Sequence, residues 1–135
     1  MGVQNAAILV GGTVSTTGGT STSFVPNGAD VKGGVQVVDS ANTNAVTRAS
    51  ITFRTIKAAV LDTVTGLFTG KSKRQAQLVR PKVLASGRVV FPLVRVELEL
   101  HPEMTDAEIT ALMSEGAQLL ADSDFTAFWK LGSVA

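Results

Sequence analysis

Glu97 and Glu99, two residues apart in the run RVELEL, are this 135-residue chain's nearest approach to a carboxylate pair for general acid and base work. That spacing puts both on one side of a strand, but the pattern sets no histidine or nucleophile beside them, so catalysis finds little to build on. The single histidine, His101, stands next to Pro102 with no second ligand at a useful spacing, and reads as a surface or interface imidazole rather than a metal ligand. There is no Cys and no Tyr, which removes disulfides and thiolate metal sites. The pairs Gly11-Gly12, Gly18-Gly19 and Gly33-Gly34 lack the order of strand, loop and helix that a phosphate cradle needs and read as turns. No catalytic residue, cofactor or metal is expected, and the chain reads as a binding or structural protein rather than an enzyme.

The chemistry that remains is charge. A formal net charge of +1 conceals a strong segregation. Residues 47 to 88 carry nine cations (Arg48, Arg54, Lys57, Lys71, Lys73, Arg74, Arg80, Lys82 and Arg88) against Asp62 alone. Residues 89 to 135 carry eight acids against Arg95 and Lys130. A basic middle of this kind points to an anionic partner.

These cations must be positioned by strands. In Ser50-Ile51-Thr52-Phe53-Arg54-Thr55, a period of two puts Ser50, Thr52 and Arg54 on one side and Ile51, Phe53 and Thr55 on the other. The sharpest alternation sets Val94, Val96, Leu98 and Leu100 against Arg95, Glu97 and Glu99, which predicts a one-sided sheet. KSKRQAQLVRPKV, bounded by Gly70 and Pro81, predicts a strand with its cations clustered at its start. AAVLDTVTGLFTG fits either a hairpin or a short helix, and its β-branched residues and glycines favour the hairpin. In the Gly-, Ser- and Thr-rich first 46 residues, Ala6 to Val10, Phe24 to Val25 and Val35 to Val38 read as short antiparallel strands between turns.

Thr105-Asp106-Ala107-Glu108 forms a capping box after Pro102 and predicts a helix from Asp106 to about Ala121, with Ile109, Leu112, Met113, Gly116, Leu119 and Leu120 on one stripe. A second helix is predicted from Ser123 to Leu131, with Phe125, Phe128 and Trp129 on its apolar side. Strands over residues 1 to 101 and two helices over 105 to 131 make one domain of the α+β class, an antiparallel sheet with helices on one face. No secretory signal is visible, since the apolar run Ala6 to Val10 is too short. Nor is any run long enough to span a membrane, so a soluble product made in a cytoplasm is expected.

Four landmarks carry a family resemblance over residues 49 to 129: SITFRTIK, KSKRQAQLVRPKV, RVELEL, and the helix pair beginning MTDAEITALM and SDFTAFW. In order and type they resemble the coat proteins of levivirus-type single-stranded RNA bacteriophages. The resemblance implies an intertwined homodimer with one continuous sheet, each subunit's helices lying across the partner's strands, and dimers tiling an icosahedral shell. Val94, Val96, Leu98, Ile109, Leu112, Met113, Phe125, Phe128 and Trp129 would then meet at the dimer interface.

It also implies that the inward sheet face binds a hairpin of the genomic RNA, repressing translation and favouring packaging. By position those residues are Ser50, Thr52 and Arg54, then Lys73, Gln75 and Gln77, then Leu93, Arg95 and Glu97. Leu93 stands where the family usually has a base-stacking aromatic, and Gln77 where it has a lysine. Lys71, Lys73 and Arg74 alone would read as a solvated turn, and with Arg54 and Arg95 on neighbouring strands they read toward RNA. The 58 to 70 hairpin is longer, and the Leu84 to Arg88 connection shorter, than the family's. The implied place is the virion, assembled in the bacterial host's cytoplasm, with itself and RNA as partners and no membrane. A second class stays open, a small cellular nucleic-acid-binding regulator using the same basic sheet surface.

Overall fold

Alternation of apolar and polar side chains is what makes the middle of this chain a sheet. In the computed structural model, which describes residues 6–57 and 59–133, nine strands precede two helices. The strands are β1 (Phe24–Pro26), β2 (Gly34–Asp39), β3 (Ser50–Lys57), β4 (Val60–Leu61), β5 (Phe68–Thr69), β6 (Ser72–Val79), β7 (Lys82–Val83), β8 (Val89–Val90) and β9 (Leu93–Leu100). The helices are α1 (Asp106–Ala121) and, after a 3-10 turn at Ser123–Phe125, α2 (Thr126–Leu131). The class is α+β, as the sequence predicts. Two compact units arise, one spanning Gly19–Glu103 and the other combining the residues up to Gly18 with those from Met104 onward.

The first unit holds a five-stranded antiparallel sheet in the order β1-β2-β3-β6-β9. Cross-strand register sorts its residues into two faces. One carries the rows Val35-Phe53-Ala76-Val96 and Val37-Ile51-Leu78-Val94. The other carries Gln36-Thr52-Gln77-Arg95 and Gly34-Arg54-Gln75-Glu97. Such cross-strand neighbours are what stabilise an antiparallel sheet. Gly34 is needed where it stands, because a Cβ there would come within 1.8 Å of the Phe53 carbonyl oxygen.

Over its described residues, 59 to 70, the ambiguous segment is a hairpin, with Val60 opposite Thr69 and Leu61 opposite Phe68. Asp62 shapes its turn, its carboxylate accepting from the backbone N–H groups of Val64 (2.9 Å) and Thr65 (3.4 Å). Those bonds, Val64 first, hold the Asp62 carboxyl below the ordinary carboxylate range by favouring its charged form. The strand starting after Gly70 ends at Val79, ahead of Pro81, which has no N–H to give a ladder. A second small hairpin, β7 with β8, follows and turns at Gly87 (φ 85°).

In the second unit α1 begins with the expected capping box: Thr105 Oγ1 accepts from the Glu108 N–H at 3.2 Å, and Glu108 Oε1 accepts from the Thr105 N–H at 3.4 Å. The run Ala6 to Val10 is not the strand its apolar residues suggest. It forms a strap along α1, because the side chain of Gln118 stands in for a neighbouring strand: Oε1 accepts from the Leu9 N–H at 2.8 Å and Nε2 donates to the Leu9 carbonyl at 3.0 Å. Gln118 is 6% exposed, so this pairing satisfies polar atoms that burial would otherwise penalise. Ser114 donates to the Gly12 carbonyl and Asp124 accepts from the Ala7 N–H at 3.2 Å. Trp129 donates its indole N–H to the Leu119 carbonyl, one of the acceptors that a helix C-terminus leaves open.

Candidate nucleic-acid interface

All nine residues expected to face RNA lie on one side of the sheet. Ser50, Thr52 and Arg54 on β3, Lys73, Gln75 and Gln77 on β6, and Leu93, Arg95 and Glu97 on β9 share a register parity. The strand period therefore brings together side chains that are up to 47 positions apart in sequence.

The polar face is an array of amides, hydroxyls and cations. Asn27 Nδ2 donates to Gln36 Oε1 at 2.8 Å, and Gln36 Nε2 donates to Thr52 Oγ1 at 3.3 Å. Further along the same row, Arg95 donates from Nε (3.1 Å) and Nη2 (2.8 Å) to Gln77 Oε1. This fork fixes the guanidinium plane while leaving other N–H groups free for a ligand. Arg54, Gln75 and Arg95, with Lys32, Gly33, Thr55 and Ile56, line a depression of about 620 Å³. Three cations around one hollow favour an anion such as a phosphate.

Lys32 is a member that the sequence reading missed. It lies outside the basic middle, just before the Gly33-Gly34 turn, in which the Gly34 N–H donates to the Val31 carbonyl at 3.1 Å. That turn returns the chain to β2, next to β3, and the glycine pair was the available signal. A bulge lies at the same end of β3. Thr55 opposes Arg74 but Lys57 opposes Lys73, so Ile56 is the extra residue, one residue more on β3 than on its partner strand.

Acids temper this charge. Lys71 Nζ lies 3.3 Å and Lys73 Nζ 3.9 Å from the Glu99 carboxylate, and Glu97 ends the row that holds Arg54. Exposed ion pairs of this kind contribute little stability, but they lower the positive potential at that edge. Glu97 and Glu99 thus sit among lysines and amides. His101 accepts the Glu103 N–H on Nδ1 at 3.2 Å, closing a turn.

One member of the expected basic cluster belongs elsewhere. Arg74 lies opposite Thr55 and Leu98, on the apolar face and away from Lys73, because consecutive strand residues point to opposite sides. On that apolar face Phe53 is 45%, Val94 46% and Val96 50% exposed. The other residues expected at an interface are apolar and accessible too: Leu112, Met113, Phe128 and Trp129 are exposed, Leu98, Ile109 and Phe125 half-buried. Phe128 and Trp129 pack edge to face with ring centres 4.9 Å apart.

The structure superposes on a subunit of the virus-like particle of bacteriophage GQ-907 with a TM-score of 0.86 and 35% sequence identity, over 98% of this chain and 99% of that one. This chain belongs to the coat proteins of levivirus-type RNA bacteriophages. The fold of this coat protein also occurs at low identity in the virus-like particle of bacteriophage AVE019 (TM-score 0.67, 15% identity, 90% and 93% of the two chains). That of Beihai levi-like virus 21 shares it as well (TM-score 0.60, 12% identity, 88% and 91%). No protein-family model and no curated protein matches the sequence. As a coat protein it is a structural capsid subunit whose place is the virion.

Proposed function

We propose that residues 1 to 135 act as one coat-protein domain that dimerises, builds an icosahedral shell and holds the viral single-stranded RNA on the polar sheet face. The observation that carries this reading is the two-sidedness of the sheet. In the single chain the described residues bury few apolar side chains, namely Val38, Ala49 and Leu100, while whole apolar rows stay open. Burying such rows is the main favourable term in association. The order of the sheet ends at β9, an eight-residue strand whose outer edge has no strand partner among the described residues, and an open edge of that length invites pairing with another copy. The stripe Ile109, Leu112, Met113, Leu119 and Leu120 on α1, with Phe125, Phe128 and Trp129, supplies an apolar cover for a partner's dry face.

On the opposite face Lys32, Arg54, Lys73 and Arg95 meet phosphates, while Ser50, Thr52, Gln75 and Gln77 offer hydrogen bonds to base edges. With Leu93 in place of a ring, affinity comes more from charge than from stacking. The RNA hairpin bound here serves packaging and translational repression, and assembly occurs in the bacterial cytoplasm. Electron microscopy of the expressed protein, with absorbance at two wavelengths for co-purified RNA, tests this. Uniform RNA-filled spheres are expected. A folded species that stops at a small oligomer under all salt conditions would replace the shell with a nucleic-acid-binding regulator.

A further inference from the structure

Arg74 is the misfit of the dry face. Across the sheet it meets Thr55 and Leu98, and on the diagonals Phe53 and Val96. Beside it lies a hollow of about 380 Å³ whose lining includes Val35, Phe53, Ala76, Val96 and Leu98. Its guanidinium has no ion pair or hydrogen bond among the described residues. Covered by apolar side chains alone, a cation there would lose its hydration with nothing in return, and a buried charge is tolerated only when paired.

The cover must therefore bring an anion, and α1 is suited to do so. It contains Asp106, Glu108 and Glu115 and no Lys or Arg. Glu108 is already engaged in the capping box at the helix start. Glu115 makes no side-chain hydrogen bond or ion pair among the described residues. It stands three residues after Leu112 and four before Leu119, so it borders the exposed apolar stripe on the helix surface. Ser114 and Gln118, which hold the N-terminal strap, lie on the other side of it.

We infer that Glu115 of the partner subunit pairs with Arg74, and that this ion pair sets the register in which α1 of one copy crosses the sheet of the other. The inference rests on the dimer proposed above, and it adds a specificity determinant to a cover that is otherwise apolar and free to slide. A bidentate guanidinium–carboxylate pair has the directionality to fix one crossing among several of similar apolar area.

The test is a charge-reversal cycle, Arg74→Glu and Glu115→Arg, singly and combined, with the dimer dissociation constant read from sedimentation over a dilution series and folding checked by circular dichroism. Each single reversal should raise the constant by roughly tenfold or more, and the combined variant should return to within about threefold of the unmodified protein. Singles that match the unmodified protein, or a combined variant as weak as the two singles predict additively, would overturn the pairing while leaving the dimer in place. An unmodified protein that is monomeric at every concentration would remove the dimer and the pairing together. Should a reversal unfold the chain, the Arg74→Gln and Glu115→Gln cycle gives the same reading. There, coupling supports the pair and strict additivity refutes it.

Discussion

The two faces of the sheet are made by the same strands, residue by alternate residue, yet they ask for opposite surroundings. On one, Gln36, Thr52, Gln77 and Arg95 form a hydrogen-bonded polar row beside Arg54 and Lys32. On the other, Val35, Phe53, Ala76 and Val96 form an apolar row that is still half exposed in the single chain. A sheet one residue out of register would exchange these faces entirely. One face can remain in contact with water and ions, whereas the other gains free energy only when protein covers it. The contrast makes the two proposed tasks, joining copies and holding a polyanion, separable by substitution.

The harshest way to break this contrast is a charge in the dry row. Val96→Asp should raise the dimer dissociation constant by at least about a hundredfold, of order 3 kcal/mol, because a carboxylate would be stripped of water on association. Sedimentation checks the dimer and microscopy the loss of particles. Thr52→Asp on the wet face should leave dimers intact and lower RNA content. Equal damage from both variants would mean that the faces are not functionally distinct.

Next in size is Gly34→Ala. It sits in a wet row, but its added methyl would strike the β3 backbone, and overpacking of this kind costs roughly 1–3 kcal/mol. Urea denaturation should show the loss, with RNA affinity per folded particle unchanged. Arg54→Ala sharpens the comparison from the wet side. It should weaken RNA binding across sequences and reduce the slope of log affinity against log salt by about 1, measured by filter binding at several salt concentrations.

The smallest effect is expected where neither face is involved. The Asp62 carboxyl is held low by the Val64 and Thr65 amides, so the turn's extra stability is present above the ordinary carboxylate pKa and is lost as pH falls through the lowered folded value. Chemical shifts of Val64 and Thr65 should move together over that acid range, without dissociation of the dimer.

Much of this contrast is legible in the sequence. The alternation in SITFRTIK and RVELEL marks both faces, and the capping box at Thr105 marks the start of α1 to the residue. Strand neighbours came only through family resemblance, since local patterns carry no information about which strands pair. Adjacency in sequence groups Arg74 with Lys71 and Lys73, but a period of two sends it to the face opposite Lys73. Lys32 escaped notice because its region carries little positive charge, and its role depends on a turn folding back beside β3. The bulge at Ile56 has no signature in residue type, as it reflects how two strands align.

The clasp between Leu9 and Gln118 joins residues 109 positions apart. The hairpins of the sheet can close while a chain is still emerging from the ribosome, since their partners follow soon after one another. The clasp must wait until α1 has been made, and closing so long a loop is slow and entropically costly. Nascent chains therefore keep Leu9 unclasped until Gln118 has been made, and the order of translation itself makes the helical unit mature after the hairpins of the sheet.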